Sequence, residues 1–300
     1  MPISVKHLKH IYSEGLPHEQ TALDDVTFDV ADGEFVGIIG HTGSGKSTLL
    51  QHLNGLLKPT SGTVVIGDTD ITAPGVSMLK IRRKTGLVFQ YPEYQLFEET
   101  VEKDVAFGPN NLGLPEEEVQ QRVREAIGLV GLDYEEVRNQ LPFELSGGQK
   151  RRVAIAGVIA MKPEILILDE PTAGLNPQAH QEILDMVCRI HETEGNITLL
   201  VSHNMNDIAA LSDRVLVIDH GRLVMNGSPR EVFARGEELE AIGLDRPEGM
   251  RIADALRAEG LPIEGAPMTM EETADIIAAA VGAPAERDDA SRDGAAEEKE

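Results

Sequence analysis

One short segment of the sequence combines glycines, a lysine and a serine at a spacing suited to binding phosphate. It fits the pattern G-x-x-x-x-G-K-[ST] and consists of Gly40-His41-Thr42-Gly43-Ser44-Gly45-Lys46-Ser47. Its glycines let backbone N–H groups close around phosphate oxygens, and the N-terminus of a following helix adds partial positive charge. Lys46 can then contact the β- and γ-phosphates, and the Ser47 hydroxyl can ligate Mg²⁺. The segment therefore predicts a site for a nucleoside triphosphate.

Two neighbouring carboxylates come directly after a strongly apolar run. Asp169 and Glu170 follow residues 165–168, about 120 residues beyond the phosphate loop. The end of a strand is where an open α/β sheet binds its ligands. There Asp169 would hold Mg²⁺ through water, and Glu170 would polarise an attacking water molecule. Taken alone, the pattern is equally typical of an ordinary strand end, but after a phosphate loop it predicts hydrolysis.

The elements that must position these residues alternate between strands and helices. Residues 25–30 alternate apolar and polar side chains as a half-buried strand does, whereas residues 35–39 are almost continuously apolar, as expected for a central strand. A helical pattern runs from Lys46 to Leu57. Further short strands are predicted at 64–66, 86–90, 165–169, 197–202, 215–219 and 223–226. This alternation predicts a layered α/β fold, with a P-loop NTPase core.

The chain also contains regions that depart from this alternation. Between Tyr91 and Gln149 the pattern is that of charged amphipathic helices, so we expect a helical subdomain at about 91–149 inserted in a nucleotide-binding domain of residues 1–233. A small C-terminal domain is predicted over 234–284, where Thr269 and Glu272 have capping-box spacing. Residues 285–300 are predicted to be an acidic, disordered tail.

The charge balance limits the classes of partner. The 300 residues contain 27 Lys and Arg against 51 Asp and Glu, a net charge of −24. Sequence-independent nucleic-acid binding depends on basic side chains that neutralise phosphates, so this class is excluded and no nucleic-acid partner is expected. Two basic clusters, Lys80–Lys84 and Lys150-Arg151-Arg152, are interpreted as solvated helix and turn surfaces.

The single cysteine and the short apolar runs indicate in which cellular compartment the chain is expected. The single cysteine, Cys188, cannot form an internal disulfide, and the N-terminus lacks a secretory pattern, so a reducing cytosol is expected. The longest apolar run, Val153 to Met161, is far shorter than the roughly 18 residues that span a bilayer. Any membrane role is therefore expected to act through a partner.

A third motif identifies a family. The pentapeptide Leu145-Ser146-Gly147-Gly148-Gln149, together with the two motifs above, resembles the nucleotide-binding subunit of an ATP-binding cassette (ABC) transporter over roughly residues 3 to 233. The resemblance implies an ATPase with ATP and Mg²⁺ as cofactors. It also implies a head-to-tail dimer in which the signature residues Ser146, Gly147, Gly148 and Gln149 face the ATP of the opposite subunit. Exposed N–H groups at a helix N-terminus suit such an anion.

The resemblance also assigns roles to single residues. It implies that Gln90 contacts Mg²⁺ or the attacking water and that His203 contacts the γ-phosphate, although a lone histidine is more often structural. It implies that Tyr12 stacks on adenine, the alternative being a partly buried surface tyrosine. The implied catalytic residues are Glu170, His203 and Gln90, the Mg²⁺ residues are Ser47, Gln90 and Asp169, and the ATP-binding residues are Tyr12, Gly40, His41, Thr42, Gly43, Ser44, Gly45, Lys46, Ser47 and Thr48.

One position departs from the family pattern. Asn176 ends the loop after Glu170, where the family usually has Asp. Asn keeps the shape and hydrogen-bonding capacity of Asp but not its charge. We therefore expect both sites of a dimer to close, with altered coupling between them.

Several further segments indicate which branch of the ABC transporter family this sequence resembles. Residues 88–97, residues 100–109 and His41–Ser44 are similar to the ATPase subunits of energy-coupling factor (ECF) importers, and segments at 243–247 and 267–269 resemble that family's small C-terminal domain. This resemblance implies a second ATPase subunit, identical or paralogous, and a transmembrane coupling protein docked near residues 90–97. It further implies a membrane-embedded component that captures a vitamin or a transition-metal ion. The chain would then lie peripherally on the cytoplasmic side of the cell membrane.

Other ATPase classes fit less well. A chromosome-maintenance ATPase would place a long coiled coil between the phosphate loop and the signature, but only 98 residues without heptads separate Ser47 from Ser146. A ribosome-associated translation factor would carry two cassettes, and this chain has one. A subunit of an ATP-dependent exporter is closer, and its membrane partners would distinguish it.

Overall fold

The computed structural model describes residues 2–282, which form two compact units. The first unit ends at Asp245 and the second begins at Arg246. Residues 234–245, assigned above to the small domain, therefore lie in the first unit, where Leu239 is fully buried. The predicted tail at 285–300 lies outside the described residues.

The described residues contain ten strands in two sheets and twelve α-helices. The strands are β1 (Ile3–Tyr12), β2 (Gln20–Val30), β3 (Phe35–Ile39), β4 (Ser61–Ile66), β5 (Thr69–Asp70), β6 (Thr85–Val88), β7 (Ile165–Asp169), β8 (Ile197–Val201), β9 (Arg214–Asp219) and β10 (Arg222–Gly227). The helices are α1 (Lys46–Leu53), α2 (Met78–Lys84), α3 (Val101–Asn111), α4 (Glu116–Leu129), α5 (Tyr134–Val137), α6 (Gly147–Ile159), α7 (Pro177–Glu194), α8 (Met205–Leu211), α9 (Pro229–Phe233), α10 (Gly236–Ala241), α11 (Glu248–Ala258) and α12 (Met270–Val281).

The larger sheet has the strand order β10-β9-β3-β8-β7-β6 and is parallel except for the β9–β10 hairpin. Every residue of β3 and β8 is buried, as expected for parallel strands covered on both faces. Parallel strands end at the same edge, so the loops after β3, β6, β7 and β8 meet there. This edge brings together segments that are far apart in the sequence.

The smaller sheet is antiparallel, in the order β2-β1-β4-β5. Its inward side chains join those of the larger sheet in one apolar core, which includes Ile3 and Leu23 from the small sheet and Ile38 and Leu199 from the large one. Strand β1 was not predicted from the sequence. The strand carries polar residues between its buried ones and has several register shifts against β2, which weaken the alternating pattern.

Most predicted elements are confirmed, and three end earlier than expected, among them β8, which ends at Val201 instead of residue 202. The strands at 35–39 and 165–169 have the predicted bounds. Helix α1 ends at Leu53 instead of continuing to Leu57, because the chain turns at Gly55, whose φ is +67°. Strand β6 ends at Val88, so Gln90 lies two residues beyond it.

The region from Pro92 to Ile159 is helical throughout its regular elements in the described structure, which confirms the inserted helical subdomain. In the second unit, helix α12 begins where its capping residues predict. The Thr269 side chain accepts a hydrogen bond of 3.1 Å from the backbone N–H of Glu272. None of the described helices is long and apolar enough to cross a membrane.

Candidate functional site

The phosphate loop lies between β3 and α1, and its glycines are required by close packing. A Cβ atom at Gly40 would lie 2.2 Å from the carbonyl oxygen of Ile218. One at Gly45, where φ is +109°, would lie 2.5 Å from the carbonyl oxygen of Ala22. Both glycines therefore allow the loop to pack against neighbouring backbone in a conformation that other residues disfavour.

Lys46 extends along the loop in the direction expected for phosphate binding. Its Nζ donates hydrogen bonds to the carbonyl oxygens of Gly40, at 2.7 Å, and His41, at 2.9 Å. The residue is buried, and this burial lowers the pKa of Lys46, while the charges of Glu170 and Asp169 raise it. The ammonium group is thus bonded to the loop and is close enough to two carboxylates for their charges to act on it.

Most of the predicted ATP-binding and catalytic residues line one open cleft of about 430 Å³. Sequence reasoning missed two of its lining residues, Gln20 and Ala22, because they come from β2, on the other sheet. The residues that line the cleft are Tyr12, Gln20, Ala22, Thr42, Gly43, Gly45, Lys46, Ser47, Thr48, Gln90, Glu170 and His203.

Three predicted catalytic side chains converge within this cleft. One carboxylate oxygen of Glu170 accepts a hydrogen bond of 3.1 Å from Gln90 Nε2, and the other lies 2.7 Å from His203 Nε2. Glu170 has φ of +51°, a conformation that is uncommon for residues other than glycine. Strained backbone of this kind is concentrated at functional sites, where the surrounding structure holds it in place.

Asp169 lies beside the phosphate loop and contacts Ser47. Burial raises the pKa of Asp169, and the hydrogen bond from the Ser47 side chain opposes that rise. A hydroxyl, a carboxylate and the amide oxygen of Gln90 are the hard oxygen donors that Mg²⁺ prefers. The residues present therefore fit this ion.

The predicted adenine-stacking residue lies at the side of the cleft. The Tyr12 hydroxyl is 3.2 Å from Thr48 Oγ1, and its ring packs edge-on against His10 with centroids 4.5 Å apart. Tyr12 is 38% exposed and lines the cleft, so it is accessible to a ligand there.

The signature residues lie at the N-terminus of α6 and not among the described residues that line this cleft. Ser146 Oγ accepts a hydrogen bond from the backbone N–H of Gln149, and Gln149 Oε1 accepts one of 3.0 Å from the backbone N–H of Ser146. This capping box starts the helix. Asn176 similarly starts α7, since its side chain accepts a hydrogen bond of 2.9 Å from the backbone N–H of Ala179.

The interpretation of Lys150-Arg151-Arg152 as a solvated surface was wrong for Arg151, which is 2% exposed. Its guanidinium donates hydrogen bonds of 3.0 and 2.7 Å to the two carboxylate oxygens of Glu93. It also donates to the carbonyl oxygens of Pro171, at 3.1 Å, and Ala173, at 2.8 Å.

The planar fork of Arg151 satisfies all these acceptors at once, which explains its burial. Arg151 therefore connects α6 to the segments that follow Gln90 and Glu170. A signal was available in the sequence, because Arg151 is four residues before the buried Ile155 on the same face of α6.

Comparisons with known proteins agree with this geometry. Residues 23–173 match the family described as ABC transporter. The energy-coupling factor transporter ATP-binding protein EcfA2 of Caldanaerobacter subterraneus is 57% identical over 92% of this chain and 96% of its own length.

Two solved structures are also similar. One is cbiO1 of Clostridium perfringens, part of the ABC transporter complex cbiONQ, with a TM-score of 0.71 and 37% identity over 85% of this chain and 98% of that one. The other is an ATP-binding cassette solved as a dimer in a post-hydrolysis state with ADP and Pi, with a TM-score of 0.67 and 31% identity over 76% and 99% of the two chains. The chain therefore belongs to the ABC transporter family, and within it to the ATP-binding proteins of energy-coupling factor transporters.

Proposed function

We propose that this chain is the ATP-hydrolysing subunit of an ECF importer and that ATP binds in the cleft of about 430 Å³ described above. The observation that carries this proposal is the convergence of Gln90 and His203 on Glu170, in the same cleft as Lys46. Backbone N–H groups of residues 40–45 and the Lys46 ammonium would bind the phosphates. Ser47 and Thr48, at the start of α1, would also contact the nucleotide. The ring of Tyr12 would stack on the adenine.

The carboxylate of Glu170 is positioned to act as the general base. One of its oxygens would take up a proton from the attacking water, while Gln90 and His203 hold the carboxylate in place through the contacts already described. When the nucleotide is bound, His203 would also contact its γ-phosphate. Because the three side chains come from loops after different parallel strands, small movements of these loops would assemble or dismantle the site.

We assign Mg²⁺ binding to Ser47, Asp169 and Gln90. Bound Mg²⁺ would neutralise the charge that develops on the phosphates. The Ser47 side chain is close enough to Asp169 to lower the pKa of that carboxyl. This arrangement supports the assignment of both side chains to one ion.

The signature residues would complete a second nucleotide site in a head-to-tail dimer. Ser146, Gly147, Gly148 and Gln149 lie at the start of a helix of 13 residues, whose N-terminus favours an anion. The related cassette that was solved as a dimer with ADP and Pi supports this arrangement. The second ATPase would be an identical or a paralogous chain.

The transmembrane coupling protein would dock at a groove beside residues 90–97. The groove has a volume of about 510 Å³ and is mainly apolar, with aromatic residues on its rim. Tyr94 is 85% exposed and Phe97 is 58% exposed, so both are available to a partner. The aromatic and apolar residues that line the groove include Leu79, Phe89, Leu96, Phe97, Phe107 and Met161.

Docking at this groove would place the chain peripherally on the cytoplasmic side of the cell membrane. Closure and reopening of the ATPase dimer would then move the coupling protein. A third, membrane-embedded component would capture a vitamin or a transition-metal ion. The second unit, which begins at Arg246, would form the small domain that helps hold the ATPases together, and the first unit would be the nucleotide-binding domain.

The test is purification of the tagged chain from membranes, followed by identification of the co-eluting proteins. A coupling protein, a small substrate-capturing membrane protein and a second ATPase subunit are expected. Addition of a nonhydrolysable ATP analogue should close the ATPase pair, as measured by crosslinking across the signature helix. Recovery of exporter membrane domains would contradict the ECF assignment. If the analogue does not change the crosslinking of the ATPase pair, the shared-site mechanism is contradicted.

A further inference from the structure

Outside the nucleotide cleft, three possible metal ligands meet at the base of the phosphate loop. They are His41 in the loop, Asp219 at the end of β9 and His220 in the β9–β10 turn. One ligand atom from each lies within 4.8 Å of the other two. The Nε2 atom of His41 is 3.0 Å from the Asp219 Oδ1 atom, and the Nε2 atom of His220 is 3.9 Å from the same oxygen.

The contact of the other ring nitrogen of His41, Nδ1, shows that this nitrogen carries a proton. His41 Nδ1 lies 2.8 Å from the carbonyl oxygen of Thr42, and a carbonyl only accepts, so Nδ1 must be the donor. When the imidazole is neutral, Nε2 is then the nitrogen that carries the lone pair, and it lies 3.0 Å from Asp219 Oδ1. A histidine that binds a metal is usually oriented in this way, with its second N–H donated to a carbonyl or carboxylate.

The contact between His41 Nε2 and Asp219 is not a hydrogen bond. Nε2 is buried and makes no hydrogen bond within the described part of the chain, despite its distance of 3.0 Å from the carboxylate oxygen. Two ligands in a tetrahedral shell, each bonded at about 2.1 Å to Zn²⁺, are separated by about 3.4 Å. The separation of 3.0 Å between His41 Nε2 and Asp219 Oδ1, with no hydrogen bond between them, is close to this spacing.

We propose that His41, Asp219 and His220 form a binding site for a divalent transition metal of the Zn²⁺ class. Two imidazoles and a carboxylate are a donor set that suits such an ion, and three protein ligands leave a fourth position for water. The site is accessible, because the His220 side chain is 83% exposed. It is separate from the residues assigned to Mg²⁺, which have oxygen donors only.

The site would connect the metal to the conformation of the phosphate loop. The backbone N–H of Gly221, next to His220, donates a hydrogen bond of 2.8 Å to the carbonyl oxygen of Ser44. The carbonyl oxygen of His41 in turn accepts a hydrogen bond from Lys46. An ion bound by His41 and by the β9–β10 turn would link the phosphate loop to the large sheet and restrict its movement.

The test is a titration of the full-length chain, without a histidine tag, with Co²⁺ as a spectroscopic substitute for Zn²⁺. We expect one Co²⁺ per chain, with the visible absorption of a four-coordinate site, and displacement by Zn²⁺. The variant His220→Asn should bind Co²⁺ at least about 10-fold more weakly. Asn is chosen because His220 has φ of +44°, a conformation that Asn tolerates.

The chain offers a matched control in His7→Asn. His7 is exposed, has φ of +51°, and its Nδ1 lies 2.6 Å from Asp25 Oδ1, but no third ligand in the described residues joins this pair. This variant should bind Co²⁺ like the unmodified chain. Circular dichroism and ATPase assays without added transition metal should show that both variants are folded. Equal affinity in His220→Asn and the unmodified chain, or no saturable binding at all, would overturn the proposal.

Discussion

The N-termini of α1 and α6 both follow segments rich in glycine and serine, but their glycines serve different purposes. At α1, a Cβ atom on Gly40 or Gly45 would overlap with the backbone of the same chain. At α6, a Cβ atom on Gly147 or Gly148 would meet no heavy atom within 4 Å in the described structure. Packing within this chain explains the first pair of glycines and does not explain the second. The second pair suits the close approach of a partner.

The two helix ends also differ in how their backbone donors are used. Gly45 precedes α1, and within the described residues no side chain caps that helix. Ser146 and Gln149 cap α6 reciprocally. Such a cap contributes about 1 kcal/mol, an amount that a bound phosphate can offset. Under the proposed function, the start of α1 would bind the nucleotide of its own subunit, whereas the capped start of α6 would face the nucleotide of another subunit.

The largest expected effect is on chemistry at the cleft beside α1. Glu170→Gln removes the general base and keeps the size of the side chain, so ATP turnover should fall by about 10² to 10⁴-fold. ATP binding should persist, and the ATP-bound dimer should accumulate. Phosphate release and equilibrium nucleotide binding measure the two effects. Wild-type turnover in this variant would remove Glu170 from the assigned role.

The next effect concerns Arg151, which connects the two regions. Arg151→Met keeps much of the side-chain volume but leaves the Glu93 carboxylate without its partner. Burial raises the pKa of Glu93, but the hydrogen bonds from Arg151, a backbone hydrogen bond and the charge of Arg151 together hold that pKa below its ordinary value. We expect a loss of about 3–5 kcal/mol in the free energy of unfolding, measured by urea denaturation. The neighbouring Lys150→Met is the control, and an equal loss there would contradict the specific role of Arg151.

A pair of glycine substitutions tests the comparison directly. Gly45→Ala should destabilise the chain by about 1–3 kcal/mol, because it combines an unfavourable φ with a close backbone contact. Gly148→Ala should leave the stability of the isolated chain unchanged or slightly higher, since Ala favours helix. It should nevertheless reduce ATP turnover in the assembled pair. Equal destabilisation by both substitutions would remove the distinction between the two helix ends.

Lys46→Ala acts on nucleotide affinity at the α1 end. The ammonium group supplies charge-assisted hydrogen bonds worth roughly 1.5–3 kcal/mol, so ATP affinity should fall by at least about 10-fold. Isothermal titration with a nonhydrolysable analogue gives the affinity directly. The signature variant Gly148→Ala should bind the analogue normally as a monomer, and a similar loss of affinity there would contradict separate roles for the two regions.

The smallest effect is expected at Asn176. Asn and Asp are about equally good at capping helices, so Asn176→Asp should change the free energy of unfolding by less than about 0.5 kcal/mol. The added charge should alter the cooperativity of ATP hydrolysis between the two sites of a dimer. The dependence of the ATPase rate on ATP concentration measures this cooperativity. An unchanged rate and an unchanged Hill coefficient would contradict the hypothesis.

Local patterns predicted much of the fold and supplied the candidate site residues, whose roles stay predictions. The bounds of β3 and β7 followed from continuous apolar runs, and the start of α1 followed from the phosphate-loop pattern. The family resemblance added Gln90, His203 and Tyr12, which the structure brings to one cleft. Strand β1 was missed because its bulges disturb the alternation that predicts strands.

The sequence by itself determined the motifs that predict phosphate binding and ATP hydrolysis, because those motifs depend on spacing over a few residues. Only the tertiary structure decided which distant residues meet. The parallel register of the large sheet places Gln90 and His203 on Glu170, and it places the β9–β10 turn against His41. Burial of Arg151 and the open space around Gly147 and Gly148 were likewise decided by packing. Contacts between residues far apart in the chain depend on how whole elements pack, which no local pattern records.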